Sequence, residues 1–382
     1  MDQVQPTHLP RDAAIRYSAA AMSLILKIGK FLAVTLVVAF VGAGALFLSL
    51  RAYNQHVNAK AFELRGPKAI NEAGYMRVGG IEQWVQIRGQ DRDNPVLLCV
   101  HGGPGGTWLP VTRLFLGWEK EFTVVLWDQR GAGKTLKSTG ASIAATMSVE
   151  RMVQDGLELT QQLRARLGKE KLILLGHSFG SVLGVLMVKQ RPDLFSAFVG
   201  TGQVSDLPRS LSRGYSRLTE QARASGDNET LRTLQMIGPP PYRNMKQVAS
   251  FFDCSGRYQA PSDGTALDLL KKSLISPPPE YSLRDEVNRF RGFMVVPPWK
   301  LYDDLLNTNL MTFGTDFKVP VVIIQGAQDT VTPLGDAEKY FATLSAPHKE
   351  MTVVADGGHF AVWSHANAFL KELVARVRPL AL

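Results

Sequence analysis

Apolar and polar positions divide this chain into three regimes. The first is a single long run, Phe31 to Leu50, twenty residues without a charge. As a helix it would extend about 30 Å, the thickness of a bilayer core. The second regime alternates short apolar runs with amphipathic stretches. Tyr75–Val78 and Trp84–Ile87, separated by Gly79-Gly80, predict a hairpin. Pro95–Val100, Phe122–Trp127, Leu172–Leu175, Phe195–Val199, Val319–Gln325 and Glu350–Val354 have the length and composition of buried strands. Helical patterns lie between them. From Ser148 to Gly168, Ser148 can cap, Met152, Gly156, Leu159, Leu163 and Leu167 share one face, and Gly168 can end the helix. Val182–Gln190, stopped by Pro192, and Ala366–Arg378 are two further helices. Strand–helix alternation implies a mostly parallel, doubly wound sheet covered on both faces.

The third regime interrupts the second. Residues 204–315 hold little that resembles a buried strand. They offer amphipathic stretches, such as Leu211, Tyr215, Leu218 and Ala222 on one face, broken at Pro239-Pro240-Pro241, Pro277-Pro278-Pro279 and Pro297-Pro298. The expected organisation is a tail over residues 1–30, a transmembrane anchor over 31–50 and a linker or exposed helix over 51–70. A core over 71–203 follows, then a helical cap over 204–315, and the core resumes over 316–382.

The anchor competes with a cleaved signal peptide. Against cleavage, the apolar stretch is long, about thirty residues precede it, and the small residues Gly42–Ala45 are followed by more apolar chain. Arg11, Arg16, Lys27 and Lys30 precede the run while only Arg51 follows closely, so the N-terminus is expected in the cytoplasm. The strand–helix part that follows is then expected on the extracytoplasmic side.

Composition changes this picture little. The formal charge is +9, but residues 1–68 hold eight Lys/Arg and three Asp/Glu, so the excess flanks the apolar run. That distribution suits membrane topology better than phosphate binding, and no nucleic-acid-binding motif is present. Cys99 and Cys254 give neither a disulfide framework nor metal-ligand spacing.

Candidate chemistry begins where the apolar run Leu172–Leu175 meets Gly176-His177-Ser178-Phe179-Gly180 and a helical run follows. That is G-x-S-x-G at a strand-to-helix turn, with the serine at its tip. A serine nucleophile needs a base, an acid that orients the base, and donors for the oxyanion. On such turns the chain order is Ser, then Asp or Glu, then His. His359, in Asp356-Gly357-Gly358-His359-Phe360, follows the last expected strand, whereas His348 precedes that strand and His365 starts the final helix. Asp329, in Gly326-Ala327-Gln328-Asp329-Thr330, directly follows another strand; Asp336 and Asp356 are weaker rivals. The oxyanion donors expected are the backbone N–H groups of Phe179 and of Gly103, the latter in the loop His101–Gly106. His101 is read as a buttress of that loop. Gly131-Ala132-Gly133-Lys134-Thr135 fails the phosphate-loop template for want of its upstream glycine.

His101-Gly-Gly-Pro-Gly-Gly106, Asp128-Gln-Arg-Gly131, the Ser178 turn, Asp329 and Gly358-His359 together resemble the α/β-hydrolase fold. More narrowly, they resemble its proline iminopeptidase branch of serine peptidases, over roughly residues 70–203 and 316–382. The resemblance implies a Ser178–His359–Asp329 acyl-transfer site, no metal or organic cofactor, and a short peptide or amide substrate with a free N-terminal residue. Two features depart from the branch. Its elbow usually reads G-G-S-W-G, where this chain has Gly-His-Ser-Phe-Gly. The cap tryptophan and glutamates that hold the substrate amine there have no matching pattern in 204–315; Glu280, Asp285, Glu286, Asp303 and Asp304 are the acidic candidates, with a solvated helix face as the simpler role. The rival expectation is a carboxylic ester hydrolase working near the membrane, with Phe293–Trp299 contacting acyl chains. A non-catalytic binding protein on the same fold would require a broken triad.

Overall fold

In the computed structural model, the backbone is described for residues 11–381 and side chains from Met22 onward. Eight strands form one sheet: β1 (Ile70–Val78), β2 (Ile81–Gly89), β3 (Val96–Val100), β4 (Thr123–Asp128), β5 (Leu172–His177), β6 (Phe195–Thr201), β7 (Val321–Gly326) and β8 (Lys349–Val354). Their order is β1-β2-β4-β3-β5-β6-β7-β8. The β1/β2 hairpin is antiparallel and joins β4 antiparallel; all the remaining pairs are parallel. The central strands β3, β4, β5 and β7 are buried at every position, which is why they read as unbroken apolar runs. The hairpin is longer than the sequence predicted, because Ile70 and Gly89 extend the register beyond its apolar centre.

The long first helix, α1 (Arg11–Ala61), precedes the sheet. The core helices are α2 (Gly133–Thr139), α3 (Val149–Leu167) and α4 (Phe179–Gln190). Ser148 caps α3 by accepting the Arg151 N–H at 3.1 Å, and Gly168 closes it in the left-handed conformation. One apolar layer, with Met152, Leu159, Leu183, Phe198 and Ile323, covers one face of the sheet. The other, with Trp108, Trp118, Ile173, Val322 and Phe369, covers the opposite face.

Between β6 and β7 lie six cap helices: α5 (Leu207–Ser225), α6 (Asn228–Ile237), α7 (Met245–Gly256), α8 (Pro261–Lys272), α9 (Leu283–Met294) and α10 (Trp299–Leu306). The chain then returns through α11 (Leu334–Thr343), α12 (Ala361–Ser364) and α13 (Ala366–Glu372), the last running into a π-turn at Leu373–Val377.

Two expectations about the N-terminal region change. Helix α1 begins twenty residues before the apolar run and continues eleven beyond it, so residues 11–30 are helical; the tail before residue 11 lies outside the described residues. Of the two alternatives for residues 51–70, the helix holds as far as Ala61, but it is docked and not free. The Arg51 guanidinium is buried and donates to the carbonyls of Ser273 at 3.1 Å, Tyr281 at 2.7 Å and Leu274. Asn54 donates to the Ile275 carbonyl at 3.1 Å, Gln55 to Pro279 at 2.5 Å, and Asn58 to Pro277 at 2.7 Å. Prolines carry no N–H, so the loop's carbonyls are not drawn into a helix or ladder and stay free to accept these bonds. The apolar helix is therefore clamped to the cap one residue after its apolar run ends.

Candidate active site

At the end of β5 the chain reverses into α4 through Ser178, at φ 55° and ψ −122°. It is the one non-glycine residue with positive φ among the described residues. Such a conformation costs about 1–3 kcal/mol and persists only where its surroundings impose it. Here they do. A side chain at Gly176 would meet the Ser181 Cα at 2.8 Å, and one at Gly180 would run into the Val100 carbonyl. The Ser178 N–H is held by the Thr201 carbonyl at 3.1 Å, and its side chain is left half-buried at the tip. The Phe179 and Gly103 N–H groups have no hydrogen-bond partner among the described residues. A Cβ built on Gly102 would come within 2.8 Å of the Ser178 Cβ, so the His101–Gly106 loop lies directly against the elbow.

The loops after β7 and β8 meet beside it. Ala327 donates to the Val354 carbonyl at 3.0 Å and Gln328 to Gly357 at 2.8 Å. This brings Asp329 to His359, with Nδ1 at 3.0 Å from Oδ2 and 3.2 Å from Oδ1. The Asp329 carboxylate also accepts the N–H groups of Val331 and Thr332 at 2.8 Å each, the Thr332 hydroxyl at 2.7 Å and Gln325 Nε2 at 3.0 Å. Burial opposes its charge, but His359 and these donors outweigh burial and hold it below the usual carboxylate range. For His359 burial likewise disfavours the cation, yet the Asp329 charge and hydrogen bond win and raise it above an ordinary histidine. Asp329 thus fixes the Nδ1–H tautomer and leaves Nε2 unengaged by any described group. Ser178 and His359 make no direct hydrogen bond here; both border the β6 terminus, where a side chain at Gly202 would meet His359 Cε1 at 3.0 Å.

Three supports escaped the sequence reading. Asp263, at the start of cap helix α8, accepts the backbone N–H of His359 and of Phe360, both at 2.8 Å. Gln325 bridges Asp329 to the Thr332 carbonyl and accepts the Gln203 N–H at 3.0 Å. His177, one of the two elbow departures, donates from Nε2 to the His359 carbonyl at 2.9 Å. Burial, and then His359 itself, push His177 down to about 3, so it stays neutral and is a fixed donor. No local motif marks Asp263, because its partners lie 96 and 97 residues away.

The remaining candidates are structural. His101 is pushed down to about 4 by burial; its Nδ1 donates to the Gly102 carbonyl at 2.8 Å while Nε2 accepts the Gln129 N–H at 3.3 Å. That is the buttress role expected of it. Arg130 pairs with the fully buried Asp155 at 2.7 Å, and Asp128 accepts from Thr107 and from the Lys134 N–H at 2.7 Å. The expected solvated face of the cap acids is not found at two positions. Asp285 is buried on Lys134 at 3.1 Å and Lys137 at 3.4 Å and completes the Ser282 capping box. Glu286 is buried on Ser273 at 2.6 Å and Arg289 at 2.7 Å. Among the described residues no cluster of His, Cys, Asp and Glu has metal-site geometry.

A mostly parallel eight-stranded sheet, a serine elbow after β5 and a helical insertion after β6 define an α/β hydrolase. The chain belongs to that family, whose model, described as the alpha/beta hydrolase fold, matches residues 95–236. The relatives it is similar to include proteins named as peptidases. The probable aminopeptidase YbaC of Bacillus subtilis is 30% identical over 320 residues, covering 81% of this chain and 98% of that protein. A proline iminopeptidase of Saccharolobus solfataricus is 21% identical over 341 residues, covering 83% and 96%. In fold, the chain is similar to a proline iminopeptidase-related protein of Thermus thermophilus, with a TM-score of 0.57 at 22% identity over 82% of this chain and 99% of that one.

Proposed function

We propose that this chain is a membrane-anchored serine hydrolase working through an acyl-enzyme. Ser178 attacks a carbonyl carbon while His359 Nε2 takes the hydroxyl proton. Asp329 holds the imidazole in the tautomer that makes this possible and stabilises the imidazolium that forms. The free N–H groups of Phe179 and Gly103 are the donors to the oxyanion. His359 then returns its proton to the leaving group, and water hydrolyses the acyl-enzyme by the same route. The observation that carries this reading is the buried Asp329–His359 pair beside a serine held in a strained turn.

Similarity to the iminopeptidase relatives favours a short peptide or amide with a free N-terminal residue, proline-like. One observation counts toward a carboxylic ester. A substrate amine needs an uncommitted carboxylate, and of Asp263 and the candidate cap acids, Asp263, Asp285, Glu286 and Asp304 are already engaged. That leaves the exposed Glu280 and the half-buried Asp303, bonded to Asn307, as the carboxylates open to it. Turnover of a proline arylamide against short-chain aryl esters by the full chain separates the two. Ester hydrolysis without arylamide hydrolysis removes the peptidase reading; Ser178→Ala that left both intact would remove the mechanism. Helix α1 is the anchor in this account, with the N-terminus cytoplasmic and the hydrolase domain outside. Its apolar segment, exposed from Phe31 to Leu50 apart from the half-buried Phe47, supports that assignment.

A further inference from the structure

Helix α9 is built inside out. Leu283, Val287, Phe290 and Met294 fall on one face, and that face is exposed, Val287 by 56% and Phe290 by 59%. Phe293 in the last turn and Val295 just after it extend the exposed apolar surface. Asp285, Asn288 and Gly292 fall on the opposite face with Glu286 on its flank, and these are the buried positions. In a helix that merely covered a core, burial of these acids and exposure of these apolar residues would be reversed.

The position of α9 relative to α1 suggests what covers that face. Phe31–Leu50 by itself spans a hydrocarbon core of about 30 Å, which sets the bilayer boundary at about Arg51. Arg51 is fixed to the Ser273 carbonyl at 3.1 Å, and the Ser273 hydroxyl is fixed to Glu286 of α9 at 2.6 Å. Asn54, about 4.5 Å further along α1, is bonded to Ile275, whose side chain is exposed together with that of Leu274. There is no spacer that could lift the cap clear, since the clamp begins at the residue after the apolar run. Exposed Arg284 and Arg291 lie on α9 beside the apolar face, and exposed Lys271 and Lys272 end α8 directly before Ser273, basic residues of the kind that favour an anionic membrane interface. The far end of α9 meets the proposed oxyanion loop: a side chain at Gly105 would collide with the Gly292 carbonyl.

We propose that the apolar face of α9, with Leu274 and Ile275, is seated in the lipid bilayer that α1 enters. The helix would then lie along the membrane interface with its C-terminal end against the Gly105 loop, and the site would draw acyl substrates from lipid rather than from bulk water. This rests on the membrane reading of α1, so the test reports the two separately. The full chain, reconstituted in vesicles of phosphatidylcholine and phosphatidylglycerol, would carry an environment-sensitive fluorophore at Leu46→Cys or at Phe290→Cys; Cys99 and Cys254 are buried and stay unlabelled. Quenchers are nitroxide lipids and aqueous iodide. The expected result is loss of emission to nitroxide lipid at both sites, at Phe290 to the shallow-labelled lipid, with little quenching there by iodide. Lipid quenching at Leu46 with full iodide quenching at Phe290 would overturn the proposal and leave the anchor standing. Phe290 shielded from both quenchers would mean that protein, such as a second copy of this chain, covers the face, and would also overturn it. No lipid quenching at Leu46 would remove the anchor itself.

Discussion

Asp263 joins the cap to the proposed base, and its replacement tests whether that join is part of the site. Its carboxylate accepts two backbone N–H groups at 2.8 Å, those of His359 and Phe360. Hydrogen bonds to a charged group contribute about 1.5–3 kcal/mol each, so Asp263→Ala puts about 3–6 kcal/mol at stake in the loop that carries the imidazole. If displacement of the histidine costs the transition state only about 2 kcal/mol of this, kcat/KM falls about thirtyfold. Asp263→Asn is more informative, because it keeps one acceptor and removes the charge. That charge helps raise His359, behind the larger contribution of Asp329 and against burial. The base must be neutral to act, so activity is lost as pH falls through a value above that of an ordinary histidine. Without the Asp263 charge that value drops, and the acid limb of the kcat/KM profile moves to lower pH. The assay is the pH dependence of ester hydrolysis for the wild-type chain and both variants. An unmoved acid limb in Asp263→Asn, together with an Asp263→Ala rate within about threefold of wild type, a barrier change under about 0.7 kcal/mol, would refute the reasoning.

Three further outcomes are expected. His177→Phe keeps an aromatic ring but loses the 2.9 Å bond to the His359 carbonyl, so kcat should fall about tenfold with KM little changed; an unchanged kcat would show that this bond does not position the base. Gly105→Ala places a Cβ against the Gly292 carbonyl at φ +79°, and should lower the urea-unfolding free energy by about 2–4 kcal/mol. Asp155→Ala strands the buried Arg130 guanidinium and should lower it by about 3–5 kcal/mol, with little effect on the acid limb of the activity profile.

The sheet was legible because its central strands are buried on both faces, so each reads as an apolar run closed by glycine or a polar turn. Asp329 and His359 were legible for a related reason, since each lies in a loop at the carboxyl end of such a run, that of His359 marked by Gly357-Gly358. Long-range polar contacts were not. Arg51 reaches 222 residues to the Ser273 carbonyl, and nothing in the sequence around it distinguishes a clamp from a flank of positive charge. The same holds for Asp263. Helix α9 failed for another reason. Periodicity separates its polar and apolar faces but not which of them packs inward, and Lys134 and Ser273 decide that by meeting Asp285 and Glu286. His177 reads in sequence only as a departure from the iminopeptidase elbow, whereas in the fold it grips the loop of the proposed base.

The central claim is that Ser178 is a nucleophile activated by His359 and Asp329. It is tested most directly by treating the full chain with a fluorophosphonate and locating the adduct by peptide mass spectrometry. The account predicts one covalent adduct, on Ser178, formed with loss of hydrolysis, and labelling slowed at least about a hundredfold in His359→Ala, the scale of general-base assistance. An adduct on another residue, or equally fast Ser178 labelling in His359→Ala, would contradict it.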